Sequence, residues 1–317
     1  MTNEYDNEQH FEDDWSEDHR SGVIAVVGKP NAGKSTLINH ILGQKIAIVT
    51  NKPQTTRKRQ LGIYTREDAQ VILVDTPGLH DPHNKLGEYM VRTAQDAVRD
   101  ADLILWVVDS SSPPADAEKA IADKINQMKG ETPVFIAFNK VDISQNPEAI
   151  NESVATYQAW VEPVQIVAIS AKQGLGIVEL MDRMIAQLPY GPRYYPADQV
   201  SEANMRFIAG EFIREAIIEN TAQEIPYSVA IEVEEYKERN DKLTYISAVI
   251  YTERDSQKGI IVGKQGAMIK KIGTDARRAL AQALETKVFL DLRVKVLKDW
   301  RSNETFLKRV GYKLHEK

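Results

Sequence analysis

The run Gly28-Lys29-Pro30-Asn31-Ala32-Gly33-Lys34-Ser35 has the order G-x-x-x-x-G-K-S and lies between an apolar run at 22–28 and a helical pattern at 34–42. In that setting the glycines let the backbone wrap a chain of phosphates. The N–H groups around Asn31, Ala32 and Gly33 then point inward as an anion nest, and the helix opened by Thr36 aims its positive end at the same place. Lys34 would reach the β- and γ-phosphate oxygens, and the Ser35 hydroxyl would hold Mg²⁺. A second apolar run, 70–75, ends on Asp75 and breaks into Thr76-Pro77-Gly78-Leu79-His80. A strand that delivers a carboxylate beside a phosphate loop suits a water-mediated ligand of the same Mg²⁺, and Gly78 has no side chain to keep its N–H from a γ-phosphate.

Leu79 raises a question. Many nucleotide hydrolases place a glutamine after Asp-x-x-Gly to orient the attacking water. A leucine cannot hydrogen-bond that water, so either the site does not hydrolyse or the water is positioned another way. Between the two motifs lies the polar stretch "TNKPQTTRKRQ". Thr56, or Thr55 beside it, could close on Mg²⁺ when a γ-phosphate is present, which would make this stretch an order–disorder switch.

A third strand pattern, 133–139, ends in "FNKVD", with Asn139, Lys140 and Asp142 at its carboxyl end. The Asp142 carboxylate can accept from guanine N1–H and N2–H₂. Adenine offers no such pair of donors and would leave the carboxylate unpaired. Lys140 can lay its stem along the base. The next strand pattern ends in Ser170-Ala171-Lys172, where the Ala171 N–H could meet guanine O6. GTP and GDP are the expected ligands.

The positioning elements are legible around these motifs. Strand patterns at 22–28, around 60–65, and at 70–75, 102–109, 133–139 and 163–169 alternate with helix patterns at 34–42, 84–100, 115–129, 146–161 and 175–187. Alternation of this kind predicts an α/β domain over 21–188, a mostly parallel sheet with helices on both faces and ligands beyond the strands' carboxyl ends. The Pro/Gly-broken stretch 189–201 reads as a linker. After it, a helix over 202–220 capped by Ser201, strands near 228–236 and 243–252, a basic helical region over 256–285, a strand at 287–296 and a helix near 301–315 give a small α+β domain over 202–317.

In that domain, Gly263-Lys264-Gln265-Gly266 interrupts the helical region, and Lys270 and Lys271 follow. G-x-x-G at a helix–helix turn is the loop with which KH modules clamp a single-stranded nucleic-acid backbone. Charge is segregated to match: the chain carries −6 overall, but residues 1–20 hold −7 and residues 191–317 hold +3. The first twenty residues read as a disordered acidic tail. There are no cysteines, which excludes disulfides, thiol catalysis and cysteine-bound zinc and suits a reducing cytoplasm. The apolar runs are too short to span a bilayer.

Taken together, "GKPNAGKS", "QTTR", "DTPGLH", "NKVD", "SAK" and "GKQG" resemble the Era family of bacterial GTPases over the chain from about residue 20. The resemblance implies a P-loop GTPase domain followed by a KH domain of the type II order. It implies GTP hydrolysis that is slow alone, binding to the 3′ end of 16S ribosomal RNA, a role in 30S subunit maturation and a peripheral association with the cell membrane. No DNA partner is expected. The family carries an apolar residue at the Leu79 position. Some relatives add K⁺ beside the phosphates, held partly by an asparagine in the phosphate loop, and Asn31 stands at that position. Lys34, Thr56, Asp75, Gly78 and Asn31 are therefore the expected catalytic set. tRNA-modification GTPases share "PNAGKS" and "TTR", but they use a C-terminal cysteine that this chain lacks. A nucleic-acid-binding scaffold with a purely structural GTP site is the other alternative.

Overall fold

The structure, a computed structural model, describes residues 15–50, 52, 56–77, 84–143, 147–202, 204–240 and 242–312. Thr55, Gly78, Leu79, most of the acidic tail and the chain's last five residues lie outside the described residues. A six-stranded sheet is built from β1 (Arg20–Val27), β2 (Gln60–Arg66), β3 (Ala69–Asp75), β4 (Leu103–Asp109), β5 (Val134–Asn139) and β6 (Gln165–Ile169). Their order is β2-β3-β1-β4-β5-β6. β2 forms an antiparallel hairpin with β3, and every other pairing is parallel.

The parallel strands are apolar almost throughout because helices cover both faces, and every residue of β3 and β4 is buried. Alternate residues feed two core layers. Ile24, Val26, Leu105 and Val107 pack with α1 (Lys34–Leu42) and α5 (Ile177–Ile185). Ala25, Val27, Ile104 and Trp106 pack with α2 (Lys85–Arg99), α3 (Asp116–Met128) and α4 (Pro147–Val161). The period-2 direction of strand side chains dictates this division.

The second sheet holds β7 (Ala230–Asn240), β8 (Leu243–Thr252) and β9 (Lys287–Val296), with β7 antiparallel and β9 parallel to the central β8. Its core is filled by α6 (Met205–Asn220) and α8 (Ala267–Ala283), and α7 (Asp255–Val262) leads into α8. The order α-β-β-α-α-β is the one expected. Two details differ from the sequence reading. Asn204, not Ser201, caps α6, its side chain accepting from the Phe207 N–H at 2.8 Å; Ser201 instead bridges to Gly62 on β2. The C-terminal helix is α9 (Glu304–Arg309), short because Asn303 caps it at one end and Gly311, at φ 88°, turns the chain at the other.

The stretch 189–201 is strapped to the first sheet. Ser21 N–H donates to Pro189 O at 3.1 Å and Ile63 N–H to Val200 O at 2.9 Å. Gln70 accepts from the N–H groups of Tyr194 and Tyr195 and donates to Tyr195 O at 2.8 Å. The two sheets also share an apolar cluster. Leu86, Tyr89 and Met90 of α2 pack with Val249, Tyr251, Trp300, Phe306, Leu307 and Tyr312, and Trp300 donates to Ser228 O at 2.9 Å, which satisfies its buried N–H.

Candidate nucleotide site and nucleic-acid loop

β1 ends at Val27 and the chain turns back at Gly28, where φ is 146° and a Cβ would lie 2.3 Å from Val107 O. Gly33, at φ 102°, would bring a Cβ within 2.2 Å of Asn139 Nδ2. Only glycine fits either position, so the loop's path is fixed by its neighbours on β4 and β5. Asn31 is also left-handed, at φ 65°. Lys34 opens α1 and folds over the loop, its ammonium donating to Gly28 O and Lys29 O, each at 3.0 Å. Burial pushes Lys34 down from the ordinary lysine range, partly countered by the Asp75 carboxylate. A buried cation held by backbone carbonyls is ready to exchange them for phosphate oxygens.

Three oxygens converge beside it. Ser35 Oγ is 2.8 Å and Thr56 Oγ1 2.9 Å from Asp75 Oδ2, and the two hydroxyls are 3.2 Å apart. The other carboxylate oxygen, Asp75 Oδ1, is buried with no hydrogen-bond partner among the described residues. Burial pushes Asp75 up from the ordinary carboxylate range, against the pull of Lys34 and the two hydroxyls. Two hydroxyls and an under-satisfied carboxylate are hard oxygen donors of the kind Mg²⁺ takes, so these residues fit the metal.

A cleft of about 610 Å³ runs from this point to the end of β5. Asn31, Gly33, Lys34, Ser35, Thr36, Thr56, Thr76, Asn139, Lys140, Asp142, Ser170 and Lys172 line it. Ala32, Asp75, Pro77 and Ala171 are buried around it. Thr76 Oγ1 donates to Val26 O at 2.8 Å, tying the turn after β3 to β1.

Asn139 braces the site from inside. Its Nδ2 donates to Ala32 O at 2.7 Å, and its Oδ1 accepts from the Ala171 N–H at 2.9 Å. It thus links the phosphate loop to the Ser170–Lys172 turn, and any contact from the Ala171 N–H to guanine O6 would have to be shared with Asn139. Lys140 pairs with Asp109 at 2.6 Å, which holds its stem along the cleft wall, and Asp142 is exposed at the mouth.

Sequence reasoning missed several residues here. Ile48, Val49 and Thr50 line the cleft. The apolar run Ile46-Ala47-Ile48-Val49 ahead of the polar stretch was their signal. Lys29 pairs at 2.5 Å with Glu118, a carboxylate 2% exposed on α3, and so steadies the loop from behind. Nothing in sequence spacing links those two.

The segment after α1 is also held by the second sheet domain. Lys45 pairs with Glu215 of α6 at 2.6 Å, and the Val49 N–H donates to the same carboxylate at 3.0 Å. Lys52 donates to Ile218 O and Thr221 O. Arg57, 2% exposed, donates to Val229 O at 2.7 Å and Pro226 O at 3.0 Å. Burial, and then the neighbouring Arg214, push Arg57 down from the ordinary arginine range, countered only in part by neighbours such as Glu211.

A family model described as "50S ribosome-binding GTPase" matches residues 23–140, and one described as "KH domain" matches residues 224–301. Two solved structures are each 34% identical to the chain, which covers 100% of each and is itself covered over 93%. One is an Era variant from Aquifex aeolicus bound to GDP·AlF4⁻, with a TM-score of 0.87. The other is Era in complex with MgGDPNP and nucleotides 1506–1542 of 16S ribosomal RNA, with a TM-score of 0.88. The chain belongs to the Era family of GTPases. It is a GTP-binding and GTP-hydrolysing protein that carries a KH domain.

In the KH domain of this chain the G-x-x-G loop joins α7 to α8. Gly263, at φ 72°, would set a Cβ 2.8 Å from the Met268 backbone N, so a side chain there collides with the start of α8. Gly266, at φ 77°, faces open space. Gln265 is left-handed too, at φ 52°. Lys264, Gln265, Lys270 and Lys271 are all exposed, so the loop offers an open glycine flanked by cations. Among the described residues no helix is long and apolar enough to cross a membrane.

Proposed function

We propose that this protein is a GTP-operated switch that binds the 3′ end of 16S ribosomal RNA and acts in assembly of the 30S subunit. Residues 21–188 are the GTPase unit, 189–201 the strap and 202–317 the RNA-binding unit. The observation that carries the reading is the chain path at Thr56 and Arg57. The first bonds Asp75 in the metal-binding set, and the second is buried against carbonyls of the RNA-binding unit. The relative that holds MgGDPNP and ribosomal RNA together supports it.

In this reading Ser35, Thr56 and Asp75 would hold Mg²⁺, which would supply charge neutralisation at the β- and γ-phosphoryl oxygens. Lys34 donates to those oxygens, the backbone of Asn31–Ser35 cradles them, and Gly78 offers its N–H to the γ-phosphoryl group. Asp142 reads guanine, with Lys140 against its ring. Asn31 would hold a K⁺ ion, which would supply positive charge to the transferring phosphoryl group. Gly263–Gly266, with Lys264, Lys270 and Lys271, clamps the RNA backbone. Peripheral membrane contact rests on the family resemblance alone.

The test is affinity for an RNA of the 16S 3′ sequence, measured with a non-hydrolysable GTP analogue and with GDP. Tighter binding in the GTP state is expected. Equal affinity in both states, or none in either, would remove the switch.

A further inference from the structure

The β7–β9 sheet has two faces. Helices α6 and α8 cover one, packing on Ile246, Ala248, Ile250 and Val288. On the other face Val249 and Tyr251 lie under Trp300, Phe306 and Tyr312. That cover stops short of the sheet's far end. There Tyr245 and Phe289 sit opposite one another in the parallel register of β8 and β9. Their rings are stacked, with centroids 5.7 Å apart and planes 20° from parallel. Phe289 is 59% exposed.

Three cations flank this pair, and two carboxylates, Glu235 and Asp291, lie next along the same face, Asp291 beside Arg293 at 4.0 Å. The Arg239 guanidinium lies 4.7 Å from the centroid of the Tyr245 ring. Lys237 is the β7 residue directly opposite Tyr245, and Lys287, two residues before Phe289, shares its face. Among the described residues none of these three cations forms an ion pair. Farther along the same face the cations are taken: Arg293 and Lys295 pair with Glu234, and Arg309 pairs with Glu232.

We propose that this end of the sheet is a second contact surface for single-stranded RNA. Bases would stack on Phe289 and Tyr245, and Lys237, Arg239 and Lys287 would meet the phosphates. Paired aromatics on an open sheet are how several single-strand modules hold bases, because every base has a π face. A protein partner would want a larger apolar centre than two rings, whereas the three cations beside them have no carboxylate partner among the described residues, and a polyanion supplies the missing counter-charge. The surface lies on the face opposite α8 and so away from the Gly263–Gly266 loop. It would hold nucleotides that run on from those clamped there. The inference rests on the RNA-binding reading above.

The test uses the full chain and two single-stranded RNA probes followed by fluorescence anisotropy. One has four nucleotides, the length a G-x-x-G loop clamps, and one has about sixteen. Phe289→Leu keeps apolar bulk on an exposed strand position but removes the ring. It is expected to weaken the longer probe about tenfold while leaving the shorter unchanged, and Phe289→Tyr is expected to restore binding. Lys237→Gln and Lys287→Gln should each lower the slope of log affinity against log salt by about 0.7. Equal affinity of the parent and Phe289→Leu proteins for the longer probe overturns the surface. So does an equal loss on both probes, which marks damage to the domain. A parent that binds neither probe overturns the RNA-binding reading itself and the surface with it. If Phe289→Leu instead abolishes a concentration-dependent dimer, the face belongs to a second copy of the chain.

Discussion

Thr56 and Arg57 are consecutive residues anchored in different domains. The Thr56 hydroxyl is 2.9 Å from Asp75 Oδ2, while the Arg57 guanidinium is 2.7 Å from Val229 O beyond α6. One peptide unit separates the Ser35–Thr56–Asp75 cluster from the KH domain. A change at Thr56 cannot occur without moving the backbone that holds Arg57, and two packed arrangements, not a continuum, are the expected response. Arg57→Met should therefore cut the link while sparing the cleft. Affinity for guanine nucleotide is expected to stay within about threefold, whereas the ratio of RNA affinities in the GTP and GDP states should fall toward one from the roughly 5- to 150-fold range of such couplings. RNA titration of both proteins in both nucleotide states checks this, and an unchanged ratio would place the link elsewhere.

Asp142 stands exposed at the mouth of the cleft. Asp142→Asn should weaken GTP binding by about 2 to 4 kcal/mol, the worth of a lost two-point charge-assisted contact. It should favour xanthosine triphosphate, whose 2-oxo group accepts from the new amide. Competition titration with the two nucleotides reads the preference directly.

Gly33→Ala tests the brace. A methyl group at this φ of 102° would lie 2.2 Å from Asn139 Nδ2 and force that side chain off Ala32 O. Loss of GTP binding is expected with the fold retained, since the strain falls on the loop and leaves the core layers intact. Calorimetry alongside circular dichroism separates the two; full GTP affinity in the variant would refute the bracing role of Asn139.

The two glycines of the nucleic-acid loop should behave differently. Gly263→Ala collides with the Met268 backbone and should lower thermal stability by about 1 to 3 kcal/mol. Gly266 faces open space, so Gly266→Asp should be milder in stability yet abolish most RNA binding by placing a negative side chain where a phosphate must approach. Thermal melts and filter binding on both variants distinguish the roles, and equal RNA affinity for Gly266→Asp and the parent would move the clamp elsewhere.

Leu79 offers no hydrogen bond to water, and under the proposed function Lys34, Mg²⁺ and a cation at Asn31 meet the charge on the transferring phosphoryl group. Hydrolysis is expected to be faster in potassium than in sodium at equal ionic strength. Asn31→Ala should erase the difference and leave GTP binding nearly unchanged. Turnover of both proteins in the two salts decides it: equal parent rates end the role of the cation, and an Asn31→Ala protein that keeps its ion preference moves the cation away from Asn31.

What the sequence determined by itself was the local chemistry. Gly28, Gly33, Lys34 and Ser35 are legible because a phosphate loop is built from contiguous backbone between one strand and one helix. Asp75, Asn139 and Asp142 are legible because apolar strand patterns end at or just before them, and parallel strands bring those ends to one edge. The same locality made β9 (Lys287–Val296) readable to the residue. What only the tertiary structure decided were contacts between groups far apart in the chain. Asn139 ties Ala32 to Ala171, Lys29 leans on Glu118, and Arg57 is buried beneath residues 226–229. Ser201 and Asn204 have similar capping chemistry, and the choice fell to Asn204 because β2 takes Ser201 as a bridge partner. The stretch 189–201 has the composition of a free linker, yet Gln70 fastens it through three hydrogen bonds. Pattern in a sequence reports propensity and periodicity; it does not report which distant surface will supply the missing hydrogen-bond partner.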